Sequence, residues 1–293
     1  MKVHTLLGKR DFQMALKCLG SLVKMSTENV SLIVHDDGTL TSAEIDTLSH
    51  TFPHLTIIER RMADEWAEAH LKSWPNCQSF RRRHILALKL FDVFILSEED
   101  RITFCDSDVL FFRPFHGLQT PLKDSDAIFM RDIINQLAFR SWDILFHNLR
   151  FVSHLNSGLF SIRRSLLDLE RLEWFFQFQY PDLLKHFAEQ TAWAVACSGL
   201  RTSFWNPAQI RIAHPSTHLT DTTVSFHYVG HYRSRLGTDR IVEEPPSKSI
   251  TLETISSDSV GFVEAGRSEL ERLGRRLMGK NPYPSAPYQQ YGV

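Results

Sequence analysis

The chain has 293 residues, 43% of them hydrophobic and 23% charged, with a formal net charge of −1. That length and apolar content suit a globular domain with a large core, to which 21 phenylalanines contribute much of the bulk. The near-neutral balance excludes wholesale nucleic-acid binding, and no apolar run approaches the length of a membrane span.

Val3 to Leu7 is predicted as a strand, and it reaches Gly8-Lys9-Arg10-Asp11 too soon to be the apolar region of a signal peptide. A helix is expected over Asp11 to Lys24, a strand over Val30 to His35, a helix over Thr41 to His50 and a strand over Leu55 to Glu59. A long helical pattern then runs from Phe80 to Leu96 and leads into a strand ending at Asp106. This alternation predicts an α/β fold with a Rossmann-like, mixed but mostly parallel central sheet flanked by helices. Further on, Ala127 to Met130, Leu159 to Ile162 and Val224 to Tyr228 read as strands, and Leu166 to Phe178 and Ala188 to Cys197 as helices. Pro215 to Thr223 and Glu243 to Ser249 read as loops.

Glu264 to Met278 has the pattern of a charged amphipathic helix, with Leu270, Leu273 and Leu277 on one face. Asn281 to Val293, rich in Pro, Tyr and Gln, reads as a flexible or docking tail. The expected division is one domain over residues 1–262, then the helix and tail over 263–293. Cys18, Cys77, Cys105 and Cys197 are scattered without a C-x-x-C pair, and read as buried free thiols of a reducing cytoplasm.

The run from Ile102 to Phe112 is interrupted only by Asp106-Ser107-Asp108. Residues i and i+2 of an extended chain share a face, so the two carboxylates are expected to aim at one spot at a strand end. Adjacent buried carboxylates repel each other unless a cation lies between them, and a hard divalent ion, Mn²⁺ or Mg²⁺, suits oxygen ligands. Asp124-Ser125-Asp126 repeats the tripeptide, but it precedes an apolar run. Ligands of open α/β sheets bind beyond the carboxyl ends of strands, which favours the first copy. No G-x-G-x-x-G or P-loop is present, so neither a dinucleotide dehydrogenase nor a P-loop kinase is supported. The spacings His50/His54, His214/His218 and His227/His231 are each interrupted by Pro or Gly and do not form helical zinc pairs.

Four further segments occur in a telling order: Leu88-Lys89-Leu90-Phe91-Asp92 with Asp100-Arg101-Ile102; Leu155-Asn156-Ser157-Gly158-Leu159-Phe160; Ala188-Glu189-Gln190-Thr191-Ala192; and Phe226-His227-Tyr228-Val229-Gly230. With the D-x-D strand they resemble, over residues 1–235, the metal-dependent glycosyltransferases of the GT-A fold. The resemblance is to the retaining group that includes glycogenin and the bacterial lipopolysaccharide galactosyl- and glucosyltransferases. It implies transfer of a hexose from a nucleotide-sugar, a UDP-hexose, to an acceptor hydroxyl with retention, and Mn²⁺ or Mg²⁺ as cofactor.

The resemblance also implies roles. Asp106, Asp108 and His227 would hold the metal, although a lone strand histidine is otherwise a hydrogen-bonded core residue. Glu189 and Gln190 would contact the transferred sugar and, with Asp106 and Asp108, form the catalytic set. Lys89 would approach the donor phosphates or sugar, joined by Arg82 on the same predicted helix face. Ser107, Asn156, Ser157 and Gly158 would shape the sugar pocket. The strand ends at Leu7, Gly8 and Asp11 and at Asp36 would cradle uracil and ribose. Gly230, His231 and Arg233 would lie at the phosphates.

The family usually has Asp where this chain has Glu189. Its late segment continues into Lys-Pro-Trp, where this chain has His231-Tyr232-Arg233, so Arg233 or His231 would replace the phosphate-binding Lys. The acceptor is open among a glycan, a lipid-linked sugar and a small molecule. Arg267, Arg272, Arg275, Arg276 and Lys280 allow peripheral contact with an anionic inner membrane face, against the alternative of a helix packed on the domain. Two rival readings stand: a sugar-nucleotide pyrophosphorylase, for which Gly8-Lys9-Arg10 is a poor phosphate loop, and a non-catalytic nucleotide-sugar-binding protein.

Overall fold

The computed structural model describes residues 1–119, 125–133, 135, 138, 149–178, 187–214, 217–236, 247–252 and 259–260, with separate residues between 263 and 279. In chain order the main elements are β1 (Lys2–Leu7), α1 (Phe12–Met25), β2 (Ser31–Asp36), α2 (Ser42–Thr51), β3 (Leu55–Ile58), α3 (Arg60–His70), α4 (Pro75–Arg83), α5 (Ala87–Ile95) and β4 (Arg101–Cys105). Then come β5 (Val109–Phe111), β6 (Phe115–His116), β7 (Ala127–Arg131), β8 (Phe151–Val152), β9 (Leu155–Arg163), α6 (Leu169–Gln177), α7 (Ala188–Ala196), β10 (Thr202–Phe204), β11 (Ile210–Ile212) and β12 (Ser225–His227).

A seven-stranded sheet has the order β10-β7-β9-β4-β1-β2-β3. β3, β2, β1 and β4 run parallel, β9 is antiparallel to both β4 and β7, and β10 is parallel to β7. The expected mixed, mostly parallel sheet is therefore present. Its central strands bury both faces, as parallel strands covered by helices must. On β4, Ile102 and Phe104 enter one core while Cys105 enters the other. Phe160 of β9 anchors the first core, with its ring 5.2 Å from Phe104, 5.3 Å from Phe129 and 5.0 Å from Trp193. The second core takes Phe12, Ala15, Leu19 and Leu22 of α1, the helical stripe expected from their spacing. Thr41 and Glu44 cap α2 reciprocally, which fixes the turn out of β2. A small second sheet, β11-β12-β5, continues from the end of β4.

Three sequence expectations are corrected. The helical pattern from Phe80 to Leu96 is two helices, because the backbone tightens into i→i+3 bonds over 84–89: Ala87 N–H donates to His84 C=O at 2.9 Å and Lys89 N–H to Leu86 C=O at 3.1 Å. α3, with its polar composition, was not expected. Asp106-Ser107-Asp108 is not extended; the Val109 N–H closes a turn on the Asp106 carbonyl at 3.3 Å. All four cysteines are free and buried, as expected. Leu270, Leu273 and Leu277 are exposed, while most of the stretch from Glu264 to Met278, and all of Asn281 to Val293, lies outside the described residues. Among the described residues no helix is long and apolar enough to cross a membrane.

Between β1 and β2 two buried histidines meet, His4 Nδ1 lying 3.0 Å from His35 Nε2. Burial lowers His4 to about 4, against the pull of Glu99, and lowers His35 to about 3 with His4 adding to the effect. The unfolded chain takes up these protons near pH 6.5, while the folded chain refuses them, so stability falls as pH drops below that point. The expected slope is up to about 1.4 kcal/mol per pH unit per histidine down to the folded values. Thermal melts between pH 7 and 4.5 check this: Tm should fall with pH, and His35→Leu should flatten the fall. Parallel curves for the two proteins would refute it.

Candidate active site

The site forms where β4, β9 and β12 converge. The Asp106 N–H donates to the Gly158 carbonyl at 2.7 Å, which fixes the end of β4 against β9. The turn then delivers the chain to β5, whose Val109 pairs with His227 of β12, and the Tyr228 N–H donates to the Asp108 carbonyl at 2.9 Å. Backbone ladders thus set the position of each putting together of carboxylate and imidazole before any side-chain contact is made.

Asp106, Asp108 and His227 offer ligand atoms that all lie within 4.8 Å of one another. His227 Nε2 is 3.0 Å from Asp108 Oδ1 and 3.7 Å from Asp106 Oδ2. Its Nδ1 is 3.0 Å from Asn156 Oδ1. That oxygen also accepts the Gly158 N–H at 3.0 Å, so Nδ1 carries the donating proton. In the neutral ring the Nε2 lone pair then faces Asp108 Oδ1, a buried oxygen without a hydrogen-bond donor. Two acceptors at that distance need a proton or a cation between them. Burial disfavours a charged His227, but Asp108 and Asp106 outweigh it and raise its pKa. Asp108 is conversely held low, because His227 and Arg233 overcome its burial. Asp106 is raised by burial and by Asp108, against the pull of Lys89. A divalent cation would displace the bridging proton, and the residues present fit one. Gly158 makes this possible: a Cβ there would overlap Cε1 and Nδ1 of the His227 ring and lie 2.8 Å from Nε2.

Two cations hold the outer carboxylate oxygens. Lys89, in the first turn of α5 and only 2% exposed, places Nζ 3.1 Å from both Asp106 oxygens and 3.7 Å from Glu189 Oε1. Burial works against its charge, but Asp106 and Glu189 win and its pKa is raised. Arg233, in a 3-10 turn over Gly230–Arg235, donates to Asp108 Oδ2 from Nε (3.0 Å) and Nη2 (2.8 Å), and to Asp11 Oδ1 from Nη1 (3.2 Å). Gly230 turns the chain there with φ +51, a left-handed conformation suited to glycine. Glu189, at the start of α7, accepts from Ser157 Oγ at 2.9 Å. Burial raises its carboxyl to about 7; Lys89 pulls it down and Asp106 pushes it up.

Other expected residues lie apart from this cluster. Arg82 is on α4, not on one helix face with Lys89, and is an exposed partner of Glu68 at 2.5 Å. Its neighbour Arg81 is the buried one, donating to Asp92 at 2.5 and 2.7 Å. Leu7 packs in the core, and Asp36 Oδ1 accepts from the N–H groups of Gly38 and Leu40 in its own loop. A Cβ on Gly8 would overlap the Asp37 carboxylate, so β1 and β2 meet closely at that end. Ser107 is buried in the turn between the two aspartates, and the backbone of residue 231 lies in the Gly230–Arg235 turn. Asp126 stands at the entering end of β7 and pairs with Arg201, away from the site.

Asp132 was missed. Its Oδ2 accepts from Asn156 Nδ2 at 3.0 Å and lies 3.5 Å from Gln190 Nε2. It follows β7 directly, so the rule that singled out Asp106, a carboxylate just past an apolar strand, also points to it.

Solved structures share this architecture. An active-site mutant of the galactosyltransferase LgtC aligns at a TM-score of 0.55, with 14% identity over 78% of this chain and 88% of that one. LgtC in complex with donor and acceptor sugar analogs aligns at 0.54, with 14% identity over 79% and 88%. Mouse xyloside xylosyltransferase 1 in its apo form aligns at 0.53, with 10% identity over 78% and 97%. The chain has the GT-A fold. No family model matches the sequence, and no curated protein does. At such identities the likeness establishes the GT-A architecture, and the chemistry rests on the residues themselves.

Proposed function

We propose that this GT-A chain is a metal-dependent hexosyltransferase that moves a sugar from a nucleotide-sugar, a UDP-hexose, to an acceptor hydroxyl with retention. One observation carries this reading: the buried Asp108 Oδ1 and His227 Nε2 face each other at 3.0 Å beside Asp106, beyond the carboxyl end of β4. LgtC, on the same fold, has been captured with donor and acceptor sugar analogs, which supports the reading.

Asp106, Asp108 and His227 would hold Mn²⁺ or Mg²⁺, which when bound supplies Lewis-acid neutralisation of a diphosphate. Arg233, partly exposed and already at Asp108, would turn to the phosphate oxygens, which its planar fork matches. Lys89 stays under Asp106 and opposes the burial that raises its carboxyl. Glu189 and Gln190, with Asn156, Ser157 and Gly158, would face the transferred sugar. Gly8, Asp11 and the loop after β2 would face the nucleoside. Glu189 is engaged by Ser157 and Lys89, so among the described residues no free strong base stands in the cluster. This suits a reaction in which the acceptor proton leaves on a donor phosphate oxygen.

Thermal-shift measurements with a panel of nucleotide-sugars and Mn²⁺, followed by assay of nucleotide release, test the proposal. UDP-hexose with Mn²⁺ should raise Tm, since ligand at about 100 Kd adds about 2.7 kcal/mol. Slow UDP release should follow and vanish in excess chelator. Release of inorganic pyrophosphate would instead indicate the pyrophosphorylase reading, and binding without turnover the non-catalytic one. Full turnover in chelator would sink the metal assignment.

A further inference from the structure

We propose that Asp132 is a positioning residue for the metal ligand His227 and acts through the side-chain amide of Asn156. The inference rests on the metal reading above and adds the device that keeps His227 in its ligating tautomer.

A carboxamide can be inserted in either of two orientations, and its neighbours choose between them. The Asp132 Oδ2 carboxylate oxygen accepts, so it requires Asn156 Nδ2 on its side, where the distance is 3.0 Å. The other end of the amide must then be Oδ1, facing the Gly158 N–H and His227 Nδ1, both at 3.0 Å. The reversed amide would set Nδ2 against two N–H donors and its oxygen against a carboxylate. With Oδ1 in place, Nδ1 of His227 keeps its proton and Nε2 is left for the Asp106 and Asp108 side. One carboxylate thereby dictates, through one amide, which nitrogen of an imidazole is free to ligate. Partners of this kind typically change metal affinity by 10–100-fold.

Asp132 is itself held from the backbone. Its N–H donates to the His154 carbonyl at 2.7 Å, and His154 Nδ1 lies 3.1 Å from the Asp132 carbonyl. His154 sits at φ +56 in the turn that enters β9. The Asn135 Oδ1 accepts the His154 N–H at 2.5 Å, which holds that left-handed residue in place. The strained turn therefore sets the reach from Asp132 to Asn156, two residues into β9. Gln190 Nε2, 3.5 Å from the same Asp132 oxygen, brings the start of α7 to this carboxylate as well.

Mn²⁺ titration of the full chain without nucleotide, read by the electron paramagnetic resonance of free Mn²⁺, tests the chain of contacts. Asp132→Ala should weaken Mn²⁺ binding by about 10–100-fold. Asp132→Asn, whose amide oxygen can still accept from Asn156 Nδ2, should stay within about threefold of the unaltered protein, a rescue that loss of bulk or charge alone would not give. Asp132→Ser serves if Asp132→Ala does not fold, since it too removes an acceptor at that reach, and circular dichroism confirms folding. Unchanged affinity in a folded Ala or Ser variant would overturn the proposal, as would an Asn variant as weak as either. If the unaltered protein binds no Mn²⁺, the metal reading fails and takes this inference with it, an outcome distinct from an unaltered protein that binds and variants that do not weaken.

Discussion

Asp108→Asn is expected to reduce metal-dependent transfer by more than about a thousandfold while leaving the fold intact. The substitution keeps the shape of the side chain and removes the charge on which His227 Nε2 and Arg233 converge. Stabilisation of diphosphate charge by a bound metal is worth several kcal/mol, and each 1.36 kcal/mol is about tenfold in rate. The fold should survive because the partners can adapt. Arg233 is 37% exposed in its side chain and can turn to water, and His227, no longer raised by Asp108, can shed a proton. Mn²⁺ titration, a transfer assay and a thermal melt on one preparation check the three parts. A variant with normal turnover would remove Asp108 from the metal site. Asp106→Asn should behave alike in activity but cost more stability, because Lys89 beneath it is buried and loses a charged partner.

Gly158→Ala is expected to cost at least about a hundredfold in transfer, or about 2.7 kcal/mol, although it adds one methyl group. A Cβ there overlaps the imidazole of His227. Gly158 does not have the positive φ that would itself bar alanine, so the whole penalty arises from the ring. β9 is held there, because the Gly158 carbonyl accepts the Asp106 N–H and β4 and β7 pair with the strand just beyond the bulge. The imidazole must therefore turn off its bond to Asn156 and away from Asp108. Overpacking of this kind typically costs about 1–3 kcal/mol in stability as well. The double variant Gly158→Ala/His227→Ala separates the two effects: it should recover the melting temperature lost by Gly158→Ala and none of the activity. If the double variant melts no higher than the single one, the overlap is not the cause.

Strand ends were legible because an apolar run cut off by a carboxylate or a glycine marks where a buried strand stops: β2 ends at Asp36, Asp106 follows β4 and Gly8 follows β1. What the pattern could not convey was which of three consecutive arginines turns inward. Arg81 is buried on Asp92 because a tight turn at 84–89 reorients α5, and that turn has no proline or glycine to announce it. The same turn separates Arg82 from Lys89. α3 was hidden because its helical stripe consists of small residues, Ala63 and Ala67, among charged ones. At the site, Asp106, Asp108 and His227 come from distant positions and were grouped by resemblance, and the structure brings their ligand atoms together. The amide of Asn156, expected at the sugar pocket, also joins His227 to Asp132, a contact across two strands that local spacing does not encode.

β9 lies in the interior of the seven-stranded sheet; it pairs with β4 from Leu159 to Arg163 and with β7 on either side of a bulge that holds Ser157 and Gly158. Interior strands open only when the domain as a whole unfolds, whereas surface loops breathe at far lower cost. The strand that lies against the proposed metal ligand His227 therefore loosens only with the domain. Heat inactivation should coincide with the global melt, and variation in donor or acceptor choice among similar sequences would have to come from the surrounding loops.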